Sequence, residues 1–330
     1  MNTSNDGDPE CDGLKPDICV YPNGTKAGTD FSKMEMWLEF KYDMPADGFR
    51  DPGDPLHPNA NDHLFEHDSD LSRLTRGQLA SYAAAHMGTQ FRVHAFSVLI
   101  CGRTARLVRW DRAGAVVSCT FDYVKRPEIL AGFFWRYNHL DLEGRGSDTS
   151  VTQPTKREAE QARDLLQPND KKCTFVKLLI PGAQDDSKKY YIIPSPKYTS
   201  RSPFGRATRP SRAYDVAGDR VVFCKDYWRI DQPGMKKEGD VYALLKEHQV
   251  PHIPPFDRGN DILNHSTVTQ TLSRDSWACK TKEMSCYQHH RISLAVVGRE
   301  LASFTSSWEF VNAIADAMEG EILSMNNDQV

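Results

Sequence analysis

A single change of period constrains this chain more than any other feature. Over residues 76–118 apolar side chains recur first at helical spacing and then in alternation, so a helix feeds directly into a run of strands. Leu79, Tyr82, Ala83 and Met87 fall three or four apart, which places them on one helix face. Thr75 and Gln78 have capping-box spacing at the helix start, and Gly88 suits a left-handed C-terminal cap. Residues 93–101 are then almost all apolar, the pattern of a central strand covered on both faces. Residues 104–110 alternate Ala105, Leu107 and Arg109 against Arg106, Val108 and Trp110, as a half-buried strand does. Turns at 102–103 and 111–114 separate these strands from a third over 115–121. The fold class is therefore α+β.

Upstream, a short strand is expected over 15–21, entered through Pro16, and a longer one over 34–42. The longer strand puts Met34, Met36, Leu38 and Phe40 on one face and Glu35, Trp37, Glu39 and Lys41 on the other. Residues 43–70 are rich in Asp, Pro, Gly, Asn and His without an apolar period, which predicts a mobile surface loop. His63 and His67, flanked by Asp62 and Asp68, read as polar residues of that loop. Pro127 opens a helix whose apolar stripe is Leu130, Phe133, Phe134 and Tyr137. Gly144, Gly146, Ser147 and Thr149 mark an inter-domain linker near 144–152, and Thr155 with Glu158 caps a short helix to about residue 166. Strands follow at 174–180 and 190–193.

A length of 330 residues suggests about two domains. The net charge of -4 gives no global attraction to nucleic acid or to anionic membranes. The densest basic patch, Lys197, Arg201, Arg206, Arg209 and Arg212, lies in a Ser/Pro-rich stretch and reads as solvated loop charge. No apolar run approaches the roughly 18 residues of a membrane-spanning helix, and the first residues lack the pattern of a signal peptide. These features predict an intracellular protein with its eight cysteines mostly reduced.

RGQLASYA at 76–83 with FSVLICGRTARLVRWDRAGAVVS at 96–118 resembles the fungal-type protein kinase family, in which a preceding domain is joined to a kinase-like one. Further on, GRATR from Gly205, residues 212–216 and residues 221–226 resemble the glycine-rich loop and adjoining strands of a kinase N-lobe, and 238–248 its regulatory helix. The resemblance implies ATP with Mg²⁺ as cofactor, Lys225 on the α- and β-phosphates, Glu238 holding that lysine, and Gly205 in the covering loop. Ala207 stands where a second glycine is expected, which weakens the phosphate grip. Residues 290–297 resemble the last N-lobe strand, with Ile292 where a catalytic loop would need its carboxylate. Residues 307–318, with Trp308, Val311, Ile314, Ala315 and Met318 as an inward stripe, resemble a first C-lobe helix. No His-Arg-Asp follows and no Asp-Phe-Gly occurs, so the resemblance implies a pseudokinase-like half lacking the catalytic C-lobe, acting by binding. Its uncovered apolar surface implies self-association or a protein partner.

Pro16-Asp17, then Glu39-Phe40-Lys41 on the next strand, then a helix with Gln78 and Tyr82, resemble the PD-(D/E)XK nuclease-like fold. That resemblance implies that Asp17 and Glu39 share a Mg²⁺ ion and that Lys41 orients or activates a water, with nucleic acid as the partner. Without it, Glu39 and Lys41 are a surface charge pair and Gln78 only a cap. The expected organisation is a tail over 1–12, a nuclease-like α/β domain over 13–143, a linker over 144–172, an N-lobe over 173–318 and a tail over 319–330. Cys279, Cys286, His289 and His290 lack the spacing of a zinc site.

Overall fold

The computed structural model describes residues 6–25, 28–52, 65–182, 188–198, 200–279 and 283–325. The chain divides into two compact units, the first comprising Met1–Thr149, Pro196–Ala207 and Ser266–Tyr287, the second Ser150–Ser195, Thr208–His265 and Gln288–Val330.

The first unit runs β1 (Ile18–Val20), β2 (Met36–Lys41), α1 (Asp70–Thr89), β3 (Ala95–Cys101), β4 (Thr104–Asp111), β5 (Gly114–Val117), β6 (Phe121–Asp122) and α2 (Pro127–His139). Its sheet has the order β1-β2-β3-β4-β5, with β6 also on β4. β2 and β3 are parallel, with Lys41 opposite Cys101, so the chain must cross over between them and α1 is that crossover. On one face of β3, Ala95, Leu99 and Cys101 join Trp37, Leu79, Tyr82 and Met87 in one core. On the other, Val98 and Ile100 pack with Leu38, Leu130, Phe133 and Phe134. The nearly unbroken apolar run has this cause: a helix covers each face of the strand.

Several expectations need correction. α1 begins at Asp70, capped by the Ser69 Oγ, which accepts the Ser72 N–H at 3.1 Å. Leu71 and Leu74 are exposed, so the first turns carry no apolar stripe to reveal them. Thr75 and Gln78 are consequently mid-helix, and Gly88 lies inside a helix that ends at an extended Gln90. The third strand is split into β5 and β6. The described parts of 43–70 are pinned in place rather than loose. Arg106 Nε donates to Asp47 Oδ2 at 2.8 Å, and Arg76 Nη1 donates to the Gly48 and His67 carbonyls. His67 Nδ1 lies 2.8 Å from Ser72 Oγ, whereas Asp62 and His63 fall outside the described residues. Residues 6–12 are no free tail: Asp8 accepts the Phe31 N–H at 2.7 Å and Cys11 is buried. The glycine-rich stretch near 144–149 is tied down as well, since Val93 N–H donates to the Gly146 carbonyl and Asp148 N–H to that of Phe91.

The second unit contains β7 (Val151–Thr152), α3 (Lys156–Leu166), β8 (Phe175–Ile180), β9 (Lys189–Pro194), β10 (Arg209–Asp215), β11 (Arg220–Ile230) and α4 (Glu238–Glu247). β12 (Phe256–Ser266) follows, then α5 (Thr269–Leu272) in a stretch belonging to the first unit, then β13 (Tyr287–Leu294) and α6 (Ser307–Met325). The sheet order is β12-β13-β11-β10-β9-β8-β7. The Thr155/Glu158 capping box starts α3 as predicted. Ala162 and Leu166 then pack against Phe175, Ile192 and Tyr214, so this helix is core and not linker. α6 continues past 318, which removes most of the expected tail. Its stripe is not inward, for Trp308 is 78% exposed and Val311 and Met318 are also exposed. β12 escapes sequence reading because its strand face is broken by Asp257, Arg258, Asn260 and Asp261.

Candidate functional sites

The first candidate site grows from strand pairing. β1 runs antiparallel to β2 with Ile18 opposite Leu38, so Asp17 arrives beside the Glu39-Phe40 peptide. The Phe40 N–H donates to Asp17 Oδ2 at 2.8 Å. Lys41 Nζ donates to Glu39 Oε1 at 2.7 Å and to Gln78 Oε1 at 2.6 Å. The Gln78 amide donates to the Tyr82 hydroxyl at 2.6 Å, which in turn donates to the Lys15 carbonyl at 2.7 Å. Glu39, Lys41, Gln78 and Tyr82 therefore form one hydrogen-bonded chain, and Asp17 is tied to the same strand through the Phe40 amide. Gln78 is a bridge from helix to strand, not a cap.

Electrostatically the cluster is under tension. The Glu39 side chain is 4% exposed and Lys41 19%. Glu39 Oε2 is buried and has no hydrogen-bond partner among the described residues. Burial raises the Glu39 pKa and the Asp17 carboxylate pushes the same way, against the opposing Lys41 ammonium and the Asp17 backbone N–H. An unpartnered carboxylate oxygen next to a second carboxylate is a hard-oxygen donor set that fits a divalent cation.

The second candidate site lies in the second unit. Lys225 projects from β11, and Glu238 opens the helix that follows it. Lys225 Nζ meets Glu238 Oε2 at 2.7 Å, with the two side chains 24% and 26% exposed, and stands 4.6 Å over the Tyr227 ring. A strand lysine held by a glutamate on the next helix is how protein kinases present a cation to nucleotide phosphates. Gly205 belongs to the first unit, where its N–H donates to the Arg112 carbonyl at 2.9 Å, next to Phe204 stacked on Trp110. Ala207 has φ 42, a left-handed conformation that glycine adopts more readily. The basic patch is divided too, with Lys197, Arg201 and Arg206 in the first unit and Arg209 and Arg212 in the second.

Sequence reasoning missed two carboxylates. Buried Asp226 accepts from His289 Nε2 at 2.7 Å and Arg291 Nε at 2.6 Å. Asp261 accepts from His290 Nδ1 at 2.7 Å and from two Arg229 nitrogens. The adjacent histidines of β13 thus each serve a carboxylate. No motif signals this, because the partners lie 63 and 29 residues away. A cavity of about 400 Å³ in the first unit, lined by Phe96, Phe133, Leu272 and Trp277, contains none of the predicted site residues. No helix among the described residues is long and apolar enough to cross a membrane.

Residues 62–325 match the family model described as fungal protein kinase. No curated protein and no solved structure matches the chain.

Proposed function

Because the chain belongs to the fungal protein kinase family, we propose that its second unit holds nucleotide phosphates through Lys225, with Glu238 as the group that orients it, and that these 330 residues bind nucleotide without transferring phosphate. The Lys225–Glu238 ion pair carries this reading. A cation fixed on the third of three successive strands, β9, β10 and β11, can meet two phosphate oxygens at once, whereas a free lysine would first have to be ordered. The sequence supplies neither an Asp-Phe-Gly nor a His-Arg-Asp, so no carboxylate is assigned to magnesium or to a substrate hydroxyl. With alanine at 207 where a second glycine is expected, the grip should be weak. Titration calorimetry with Mg-ATP should show binding that Lys225→Ala abolishes, and no labelled phosphate should move to peptide or to the chain itself. Equal binding by Lys225→Ala would sink the assignment, and transfer above the Lys225→Met background would sink the claim of binding alone.

The orphaned Glu39 Oε2 favours a second reading, in which the first unit is a nuclease-like phosphodiester site. Asp17 and Glu39 hold the cation, and Lys41, fixed between Glu39 and Gln78, orients the phosphate or a water. When bound, Mg²⁺ supplies Lewis-acid polarisation of a phosphoryl oxygen. Glu39 must be ionised to ligate and its pKa is raised, so cation affinity should fall with pH already above the ordinary glutamate range. Mn²⁺ titration of wild type and Glu39→Gln, with cleavage of labelled DNA followed in parallel, tests this. Undiminished Mn²⁺ affinity in Glu39→Gln would remove the site.

A further inference from the structure

The start of α4 presents a problem that the sequence does not answer. Glu238 is its first residue, yet the preceding Lys237 gives no side-chain cap, so the turn that positions Glu238 lacks the usual anchor. What holds it is the Lys237 side chain itself. Its Nζ lies 3.0 Å from Asp261 Oδ2 and donates to Asn260 Oδ1 at 2.9 Å. Asn260 Oδ1 also accepts the Asp261 N–H, at 2.8 Å.

Asp261 is in turn a fixed point. Arg229 grips it in bidentate fashion at 2.9 and 2.8 Å, and His290 Nδ1 donates to it at 2.7 Å. A carboxylate only accepts, so His290 carries its proton on Nδ1 here. Burial pushes the Asp261 carboxyl up, but hydrogen bonds from Arg229, His290 and Lys237 outweigh it and hold the group well below the usual carboxylate range. The His290 ring meets the Tyr227 ring edge-on at 5.3 Å, and Tyr227 lies beneath Lys225 Nζ. Lys225, Glu238, Lys237, Asp261, His290 and Tyr227 thus close a circuit around the helix start, drawn from β11, α4, β12 and β13.

We infer that Asp261 is a positioning residue for the phosphate-binding lysine, acting through Lys237 to set the first turn of α4 and so the place of Glu238. The inference rests on the nucleotide reading of Lys225. A surface salt bridge alone contributes little. This one differs because its carboxylate is immobilised by a planar guanidinium and its ammonium is the residue before the functional glutamate.

Hydrogen exchange of the whole chain and calorimetry with Mg-ATP test it together. Lys237→Met cuts the link while leaving the Arg229–Asp261 grip intact, so it remains informative should Asp261→Asn fold poorly. Lys237→Met should speed exchange in the first turn of α4, including the Val241 amide that donates to the Lys237 carbonyl, without altering β11. It should weaken Mg-ATP about tenfold, the equivalent of ~1.4 kcal/mol, and Lys237→Arg should restore both. Unchanged exchange at α4 in Lys237→Met overturns the positioning role whatever nucleotide does. If exchange rises as expected but wild type and Lys225→Ala bind Mg-ATP alike, Asp261 still sets the helix and it is the phosphate reading that falls.

Discussion

Each unit contains a lysine–glutamate pair at 2.7 Å, and the two pairs are built on opposite principles. Lys41 and Glu39 sit two apart on one strand, so the pleat alone puts them on the same face. Their glutamate is almost completely buried and keeps an oxygen without a hydrogen-bond partner among the described residues. Lys225 and Glu238 lie on a strand and a helix thirteen residues apart, remain a quarter exposed, and meet through the fold rather than through the pleat of one strand. The first pair is cheap to place and costly to keep. The second is costly to place and nearly neutral to keep. A buried, incompletely satisfied carboxylate argues for a ligand, while an exposed and satisfied pair argues for positioning.

The largest expected effect breaks this contrast directly. Lys41→Met leaves Glu39 buried with no cation beside it and should cost the first unit about 3 kcal/mol, whereas Lys225→Met should cost the second under about 1 kcal/mol. Urea unfolding followed by hydrogen exchange in each unit reads both losses, and similar values would erase the distinction. Acid should separate the units less sharply. In the first, burial drives the pKa of His94 down from 6.5 to about 4, with Arg109 adding to it, and buried His86 is depressed as well. An unfolded histidine takes its proton near 6.5 and these do not, so their contribution is complete above that pH and is lost as pH falls below it, for His94 down to about 4. In the second unit, the depressed carboxyls Asp226, Asp257 and Asp261 contribute above the ordinary aspartate value of 3.8 and weaken only below it. Exchange measured at pH 5 should therefore rise in the first unit before the second; the reverse order would show that the buried histidines are not what limits it. The smallest effects are the helix caps. Ser69→Ala and Thr155→Ala should each cost ~1 kcal/mol in their own unit, measured by the same unfolding curves.

Legibility differed along similar lines. The periods of two and four put Glu39 with Lys41 and Gln78 with Tyr82, while grouping them with Asp17 came from the resemblance to the nuclease-like fold; hydrogen bonds link Lys41 to Glu39 and Gln78 and Asp17 to the Phe40 amide. Lys225 and Glu238 were singled out by the resemblance to a kinase N-lobe, and they meet in an ion pair. The unit that holds the Gly205 loop could not be read, since the loop joins the first unit through Arg112 and Trp110, residues far away in sequence. The ordered state of 43–52 depends in the same way on Arg106 and Arg76 reaching back to it, and polar composition looks alike whether a loop is solvated or bound by guanidinium groups.

By itself, then, the amino-acid sequence determined the α+β class, a doubly covered strand within 93–101 and the faces on which the candidate side chains lie, because these follow from local periodicity. Tertiary structure alone decided that Asp261 and Asp226 each take a histidine from β13, that Lys237 reaches Asp261, and which unit receives residues 196–207. Those outcomes depend on contacts between charges distant in the chain, whose energies exist only once burial has removed the competing water.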